Sequence, residues 1–241
     1  MTPEKSGLGE QALNKIAEIA LASQLGEVER LEVQVKTDLN KLAHGEVEAI
    51  AININGLVMQ HELRVEEMQL QLDSVTVKPF SALLGKIVLT QPCKGTASIV
   101  INEDAFNHAV NSKSFNNLHP IQDYLNNQEV EINVQQVKCL LTDGNIVFNF
   151  QLLVTGESLL SVFTATLGID ANGEIKLQDI QYLNGKELTP KLILALNAQL
   201  NEILSLQKFA QMGMLLQIDQ IDITSGKLTL LSNAYIDQFP S

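Results

Sequence analysis

The 241-residue chain carries 28 acidic against 16 basic side chains, a formal charge of −12. With no Lys/Arg cluster to reverse that field, it repels phosphate backbones, which argues against nucleic acid as a partner and against a polybasic membrane anchor. Hydrophobic residues make up 45% of the chain and aromatics only 5%, with no Trp. The interior is therefore packed mainly by Leu, Ile, Val and Ala. Such an interior is that of an ordinary folded protein, and its branched aliphatic walls would also suit an acyl chain.

The length leaves a single elongated domain or two intimately packed halves, and one elongated domain over residues 1–241 is the expectation. The opening stretch MTPEKSGLGEQALNKIAEIALASQL has no basic region followed by an unbroken apolar core, so it does not read as a signal peptide. No window approaches the roughly 18 uncharged apolar residues of a spanning helix. The expectation is a soluble cytoplasmic protein. Cys93 and Cys139 show no metal spacing and fit a reducing compartment with both thiols free, although a disulfide between them stays open.

In chain order, the first predicted helix covers about 9–25, with Leu13, Ile16, Ala17, Ala20 and Leu21 on one face. Alternation then predicts strands around Leu31–Val35 and Ile50–Ile54, separated by a polar turn at Asp38–Gly45, and an extended stretch from Leu63 to Val77. PFSALLGK, Pro79–Lys86, reads as a helical or irregular crossing before a short strand at Ile87–Leu89. In KGTASIVINEDAFNHAV a strand carrying Ala97, Ile99 and Ile101 runs straight into a helix. Asn102 is its N-cap, and Glu103 and Asp104 favour the helix dipole. A second short helix is predicted near Pro120–Leu125.

From Val130 the pattern returns to sheet, with hairpin dipeptides at Asp143-Gly144, Asn172-Gly173 and Ser225-Gly226. Thr189-Pro190 opens a late helix over about 189–209, with Leu192, Ile193, Leu196, Leu200, Ile203 and Leu204 on its apolar stripe. Strands around Leu216–Ile223 and Lys227–Tyr235 close the chain.

One pattern recurs. LRVEEMQL from Leu63, LQLDSVTV from Leu70, INVQQVKC from Ile132, IKLQDIQY from Ile175 and LQIDQIDI from Leu216 each shift their apolar alternation by one residue at a central polar pair. A shift throws half the strand onto the wrong face unless a bulge or sharp twist restores it, so these strands are expected to bend there and build a curled sheet. The copies lack the fixed period of a solenoid. The predicted class is α+β, a long, highly curved antiparallel sheet wrapped around long helices.

Catalytic constellations do not emerge. His44, His61, His108 and His119 are scattered, and His61-Glu62 lacks the second His of a zinc helix. Ser158 in GESLL lacks the glycine of a nucleophile elbow, and Gly7 and Gly9 follow no strand. Glu66-Glu67, Asp219 and Asp222 read as a solvated face. No metal and no cofactor are expected, and an enzyme is disfavoured.

GLVMQHELRVEEMQLQLDSVTVKPFSALLGK followed by GTASIVINEDAFNHAV, within about Leu57–Val110, resembles the LmeA-like phospholipid-binding family of actinobacteria and cyanobacteria, over about Ala12–Tyr235. The resemblance implies a fold similar to one half of the tubular lipid-binding proteins, a super-roll with an apolar groove. It also implies phospholipid or another acyl lipid as partner, with lipid transfer or sensing and transient contact at an internal membrane. The actinobacterial members are exported, whereas this acidic, Gln- and Asn-rich sequence looks more like a cyanobacterial cytoplasmic branch. The lipid-lining residues expected are Leu192, Leu196, Leu200 and Ile203 on the late helix and Phe148, Phe150, Phe163 and Leu167 on facing strands. Plain core is the bland reading of each. The rival reading is a scaffold or protein-interaction module with a filled core, binding through sheet edges and the Gln/Asn-rich face around Gln135. A hydrolase assembled across the fold is a third.

Overall fold

The alternating runs and caps are realised in a computed structural model that describes residues 8–25, 27–59, 62–79, 81, 88–112, 121–125 and 128–238. In chain order the elements are α1 (Leu8–Leu25), β1 (Arg30–Lys36), α2 (Leu39–Ala43), β2 (Glu46–Val58), β3 (Arg64–Thr76), β4 (Cys93–Asn102), α3 (Glu103–Val110) and β5 (Ile121–Leu125). There follow β6 (Gln128–Thr142), β7 (Asn145–Val154), β8 (Glu157–Ile169), β9 (Ile175–Gly185), α4 (Pro190–Ile203), α5 (Gln207–Gln211), β10 (Met214–Thr224) and β11 (Lys227–Ile236).

Two antiparallel sheets result, one ordered β1-β2-β3-β4-β11-β10 and the other β5-β6-β7-β8-β9. The chain leaves the first sheet after β4, builds the second, and returns to lay β11 along β4 from Cys93↔Ile236 to Asn102↔Lys227. The sheets are joined at their turns. The Gly144 N–H donates to the Ile223 carbonyl at 2.9 Å and the Gly226 N–H to the Leu141 carbonyl at 3.1 Å. Their inner faces contribute to one contiguous apolar cluster.

The strands bend at the polar pairs, as the shifted alternation predicts. Register shifts fall between Val134 and Gln136 and between Ile218 and Gln220. A further shift lies opposite Gln178–Asp179, where Asp179 takes φ +51. In β2 and β3 the two strands change face together. Val47↔Val75 and Ile50↔Leu72 are buried pairs, as are Ile54↔Met68 and Leu57↔Val65, with one register throughout. Ser74 at φ +56 and Gly56 at φ +66 absorb the twist at these two points. The outcome is a strongly curled, half-barrel sheet.

The curved antiparallel sheet of the predicted α+β class is present, but the described strands divide into two sheets rather than one, and the helices, 18 residues in α1 and 14 in α4, are few. The helices are fastened along strand edges through polar side chains four residues apart. On α1, Asn14 Oδ1 accepts from the Val35 N–H at 2.8 Å and Glu18 Oε1 from that of Val33 at 3.5 Å. Around α3, Glu103 Oε2 takes the Leu141 N–H at 2.7 Å, while Asn107 and Asn111 bond both the N–H and the carbonyl of Cys139 and Val137. On α4, Asn197 accepts from the Leu177 N–H at 2.9 Å, and Asn201 both accepts from and donates to Ile175 at 2.7 Å.

The spacing has a geometric cause. Four helical residues rise about 6 Å, close to the roughly 6.6 Å spanned by two strand residues, so i, i+4 side chains meet successive edge-facing peptides. An Asn amide carries a donor and an acceptor like the peptide it replaces. These ladders satisfy strand edges that would otherwise pair with another chain.

Three further expectations change. The late helix ends at Ile203: Leu204 caps it at φ −90 and ψ 11 with its N–H on the Leu200 carbonyl at 2.9 Å, and a short turn through Leu206 leads into α5, so the predicted span of about 189–209 is broken into two helices. The helix predicted near Pro120–Leu125 is β5, which gains ladder bonds to β6 from Ile121↔Ile132 to Leu125↔Gln128; an isolated turn of five residues would lack them. The polar turn at Asp38–Gly45 contains α2, with Asp38 Oδ1 capping the Lys41 N–H at 2.8 Å. Of Pro79–Lys86, residues 80 and 82–86 lie outside the described residues, as does Ile87; Leu89 makes an isolated bridge to Val77.

Candidate functional site

The hairpin of β7 and β8 places Phe148 directly opposite Phe163, with ring centroids 5.2 Å apart. Phe150 stacks on Phe163 at 5.7 Å with rings 6° from parallel, and Tyr182 of β9 tilts against Phe163 at 5.6 Å. Each such pair adds about 0.5–1.5 kcal/mol to simple burial. Leu167 continues the same face of β8 and pairs with Leu177. Thr189 caps α4 by accepting the Leu192 N–H at 3.2 Å, and Pro190 follows at the first helical position. That start orients Leu192, Leu196, Leu200 and Ile203 inward. All eight expected lining residues are between 0 and 9% exposed and form part of the single buried cluster that runs through both sheets. We refer to them as the wall.

A groove of about 460 Å³ lies at the C-terminal end of α4, bounded by the β8–β9 turn, α5 and β10. Ile175, Leu204, Leu206 and Leu216 form its apolar base, and Asn172 and Gln217 stand at its polar rim. It adjoins the wall, since Leu204 follows Ile203 and Ile175 lies two residues before Leu177. The remaining concavities differ in character. Under α1, a slot lined by aliphatic side chains such as Leu13, Ile16, Val35 and Ile50 holds only about 20 Å³. That is room for about one water-sized sphere. A trough of about 370 Å³ on the outer face of the first sheet is lined mainly by polar groups, among them Gln69, Gln71, Thr96, Ser98 and Asn233 with the carboxylate of Asp219.

At the other end of α4 the surface changes. Leu160, Leu183 and Leu194 are 39, 60 and 66% exposed, and Lys186 and Lys191 are exposed beside them in sequence. The Asn197–Leu177 and Asn201–Ile175 bonds set α4 antiparallel to β9. By the same spacing the start of the helix lies level with Gln181 and Tyr182, where the Leu188 N–H bonds the Tyr182 hydroxyl at 3.0 Å; beyond it the Lys186 N–H bonds the Leu160 carbonyl at 2.8 Å.

The polar candidates lie elsewhere. His108 Nε2 meets Glu62 Oε2 at 3.0 Å on the surface, and His44 Nδ1 contacts the Asn40 carbonyl at 2.7 Å. His61 and His119 lie outside the described residues. Among the described residues no group of three or more His, Cys, Asp or Glu could hold a metal ion. Cys93 and Cys139 are free and buried, in different sheets. Burial pushes both thiols up, Cys139 strongly, with the Glu103 carboxylate adding to the effect there.

Sequence reasoning missed Ser161. It is fully buried on the face of β8 that carries Phe163, Ala165 and Leu167, and its hydroxyl has no hydrogen-bond partner among the described residues. The signal was present, a lone hydroxyl within an apolar period of two.

The family model for LmeA-like phospholipid-binding proteins matches residues 5–232, nearly the whole chain. No curated protein and no solved structure matches. Among the described residues no helix is long and apolar enough to cross a membrane.

Proposed function

The chain belongs to the LmeA-like phospholipid-binding family, and from that premise we propose that it binds a phospholipid or another acyl lipid without catalysing a reaction on it. The acyl chain lies along the wall, between α4 and the β7–β8 hairpin. Roughly ten methylenes buried there contribute several kcal/mol, at about 0.8 kcal/mol each, so no charged clamp is required for affinity. What supports this placement is the burial of these eight apolar side chains of α4, β7 and β8 in the one core that spans both sheets, with an open groove at the C-terminal end of α4.

The amide ladder fastens the C-terminal half of α4, through Asn197 and Asn201. Its N-terminal half rests on the packing of Leu192 and Leu196, and that half separates from the hairpin to admit the chain. The exposed Leu160, Leu183 and Leu194 meet a membrane during loading, with Lys186 and Lys191 near lipid phosphates. Transfer between membranes is the activity this arrangement serves.

The near-complete burial of the wall favours a second reading, a scaffold whose core is already full. Solvent extraction of the purified protein followed by lipid mass spectrometry separates the two. Stoichiometric lipid, or stoichiometric uptake from added phospholipid, is the expected result. Lipid-free protein that also refuses loading would leave the scaffold.

A further inference from the structure

We propose that the Ser161 hydroxyl, assisted by that of Tyr182, is the hydrogen-bond donor to an ester carbonyl of the bound lipid; this rests on the acyl-lipid reading above. Buried hydroxyls normally find a partner, and an unpaired one is unfavourable enough to need an explanation. Ser161 is 0% exposed and its Oγ has none among the described residues. Its neighbours place it on the wall. It faces Phe150 across the β7–β8 pair, precedes Phe163 by two residues on the same face, and faces Gly185 across the β8–β9 pair. Gly185, at φ +77, contributes no side chain, and its backbone packs closely on the Leu160 carbonyl, so β9 adds no hydrogen-bonding side chain opposite Ser161.

The second donor is adjacent. Tyr182, the partner of Phe163 across β8–β9, accepts the Leu188 N–H on its hydroxyl at 3.0 Å. Its own proton remains for an acceptor. Both hydroxyls stand at the end of the wall nearest the exposed residues 183–187 and the start of α4.

An acyl lipid has one feature that matches this layout. Its hydrocarbon is joined to the headgroup by an ester whose carbonyl accepts hydrogen bonds and carries no charge. With the carbonyl at Ser161, the chain runs over Phe163 and Leu167 toward the groove, and the headgroup leaves past Gly185 toward Lys186. Among the described residues Ser112 and Ser232 are also buried without a hydroxyl partner. They are off the wall, Ser112 just beyond α3 and Ser232 opposite Ala97 in the first sheet, and Ser232 therefore serves as a control.

The test compares dipalmitoyl phosphatidylglycerol with its dihexadecyl ether analogue, identical apart from the carbonyls, by native mass spectrometry titration of the full chain. Wild type is expected to prefer the ester about 3- to 10-fold, the worth of one net hydrogen bond. Ser161→Ala should lose the preference while keeping its affinity for the ether, and Tyr182→Phe should reduce it in part. Ser232→Ala should keep it in full. A wild type that binds both lipids equally, or a Ser161→Ala protein that still prefers the ester, overturns the carbonyl anchor and leaves lipid binding intact. A wild type that binds neither overturns the acyl-lipid reading and the anchor together. Ser161→Ala removes an unpaired group and adds no bulk, so it should fold; a melting curve beside the titration verifies this.

Discussion

Cys139 shows how a single buried group ties stability to pH. Its thiol lies in β6 with no exposure, and burial, then the Glu103 carboxylate, holds its pKa far above the ordinary range. The folded state therefore keeps the proton while the unfolded chain releases it near pH 8.5. The associated stability is complete below that pH and is lost as pH rises toward the folded value. Above about pH 8.5 this thiol should lower the unfolding free energy by about 1.4 kcal/mol per pH unit. Denaturant titrations at a series of alkaline pH values should show a slope shallower by that amount in Cys139→Ala. Parallel curves for the two proteins would refute the linkage. Cys93, whose thiol is also raised by burial, acts in the same direction.

The amide ladder is the device that most shapes the elements. Asn107 supplies both partners of the Cys139 peptide and also donates to the Glu103 carbonyl at 2.9 Å. Asn107→Ala leaves the Cys139 N–H and carbonyl unpaired beside α3, at a cost of roughly 2–6 kcal/mol, from about 1–3 kcal/mol per orphaned group. Equilibrium urea unfolding measures this directly. A loss below about 0.5 kcal/mol would show that water replaces the side chain and that the edge is not closed by it. The spacing was open to view in Glu103, Asn107 and Asn111 and again in Asn197 and Asn201. It could not be assigned, because a polar i, i+4 stripe on a helix is indistinguishable from a solvated face until a strand edge lies beside it. The break after Ile203 has the same origin. The late apolar stripe continues through Leu204, and only the turn between Leu204 and Leu206 separates α4 from α5.

Across the whole molecule, the two ends of α4 present different surfaces. One end opens on the groove; the other shows Leu160, Leu183 and Leu194 beside two lysines. Leu183→Asp and Leu194→Asp alter exposed positions and should leave stability within about 0.5 kcal/mol of wild type. Together they should slow transfer of a fluorescent phospholipid between vesicles several-fold, while lipid held by the protein in solution stays stoichiometric. Unchanged transfer would move the membrane-facing surface elsewhere on the molecule. Much of the wall was legible in advance. Phe148 and Phe150 alternate along β7, and Leu192, Leu196 and Leu200 recur along α4, so their common burial follows from period alone. Ser161 and Tyr182 were not, because their role depends on which residues face them across β8, and pairing between strands is invisible to a local pattern.

The sequence by itself determined the face each residue turns inward. The alternations in β3, β6, β9 and β10, including their shifts at polar pairs, prescribe bent strands, since only a bulge or a coupled twist keeps the apolar set on one side. The caps at Asn102 and Thr189 likewise set where α3 and α4 begin. The division into two sheets, the return of β11 to β4 and the fastening of helices to strand edges were decided by tertiary structure alone. These depend on backbone hydrogen bonds between segments far apart in the chain, and every residue carries the same peptide donor and acceptor, so side-chain pattern does not say which edge will meet which helix.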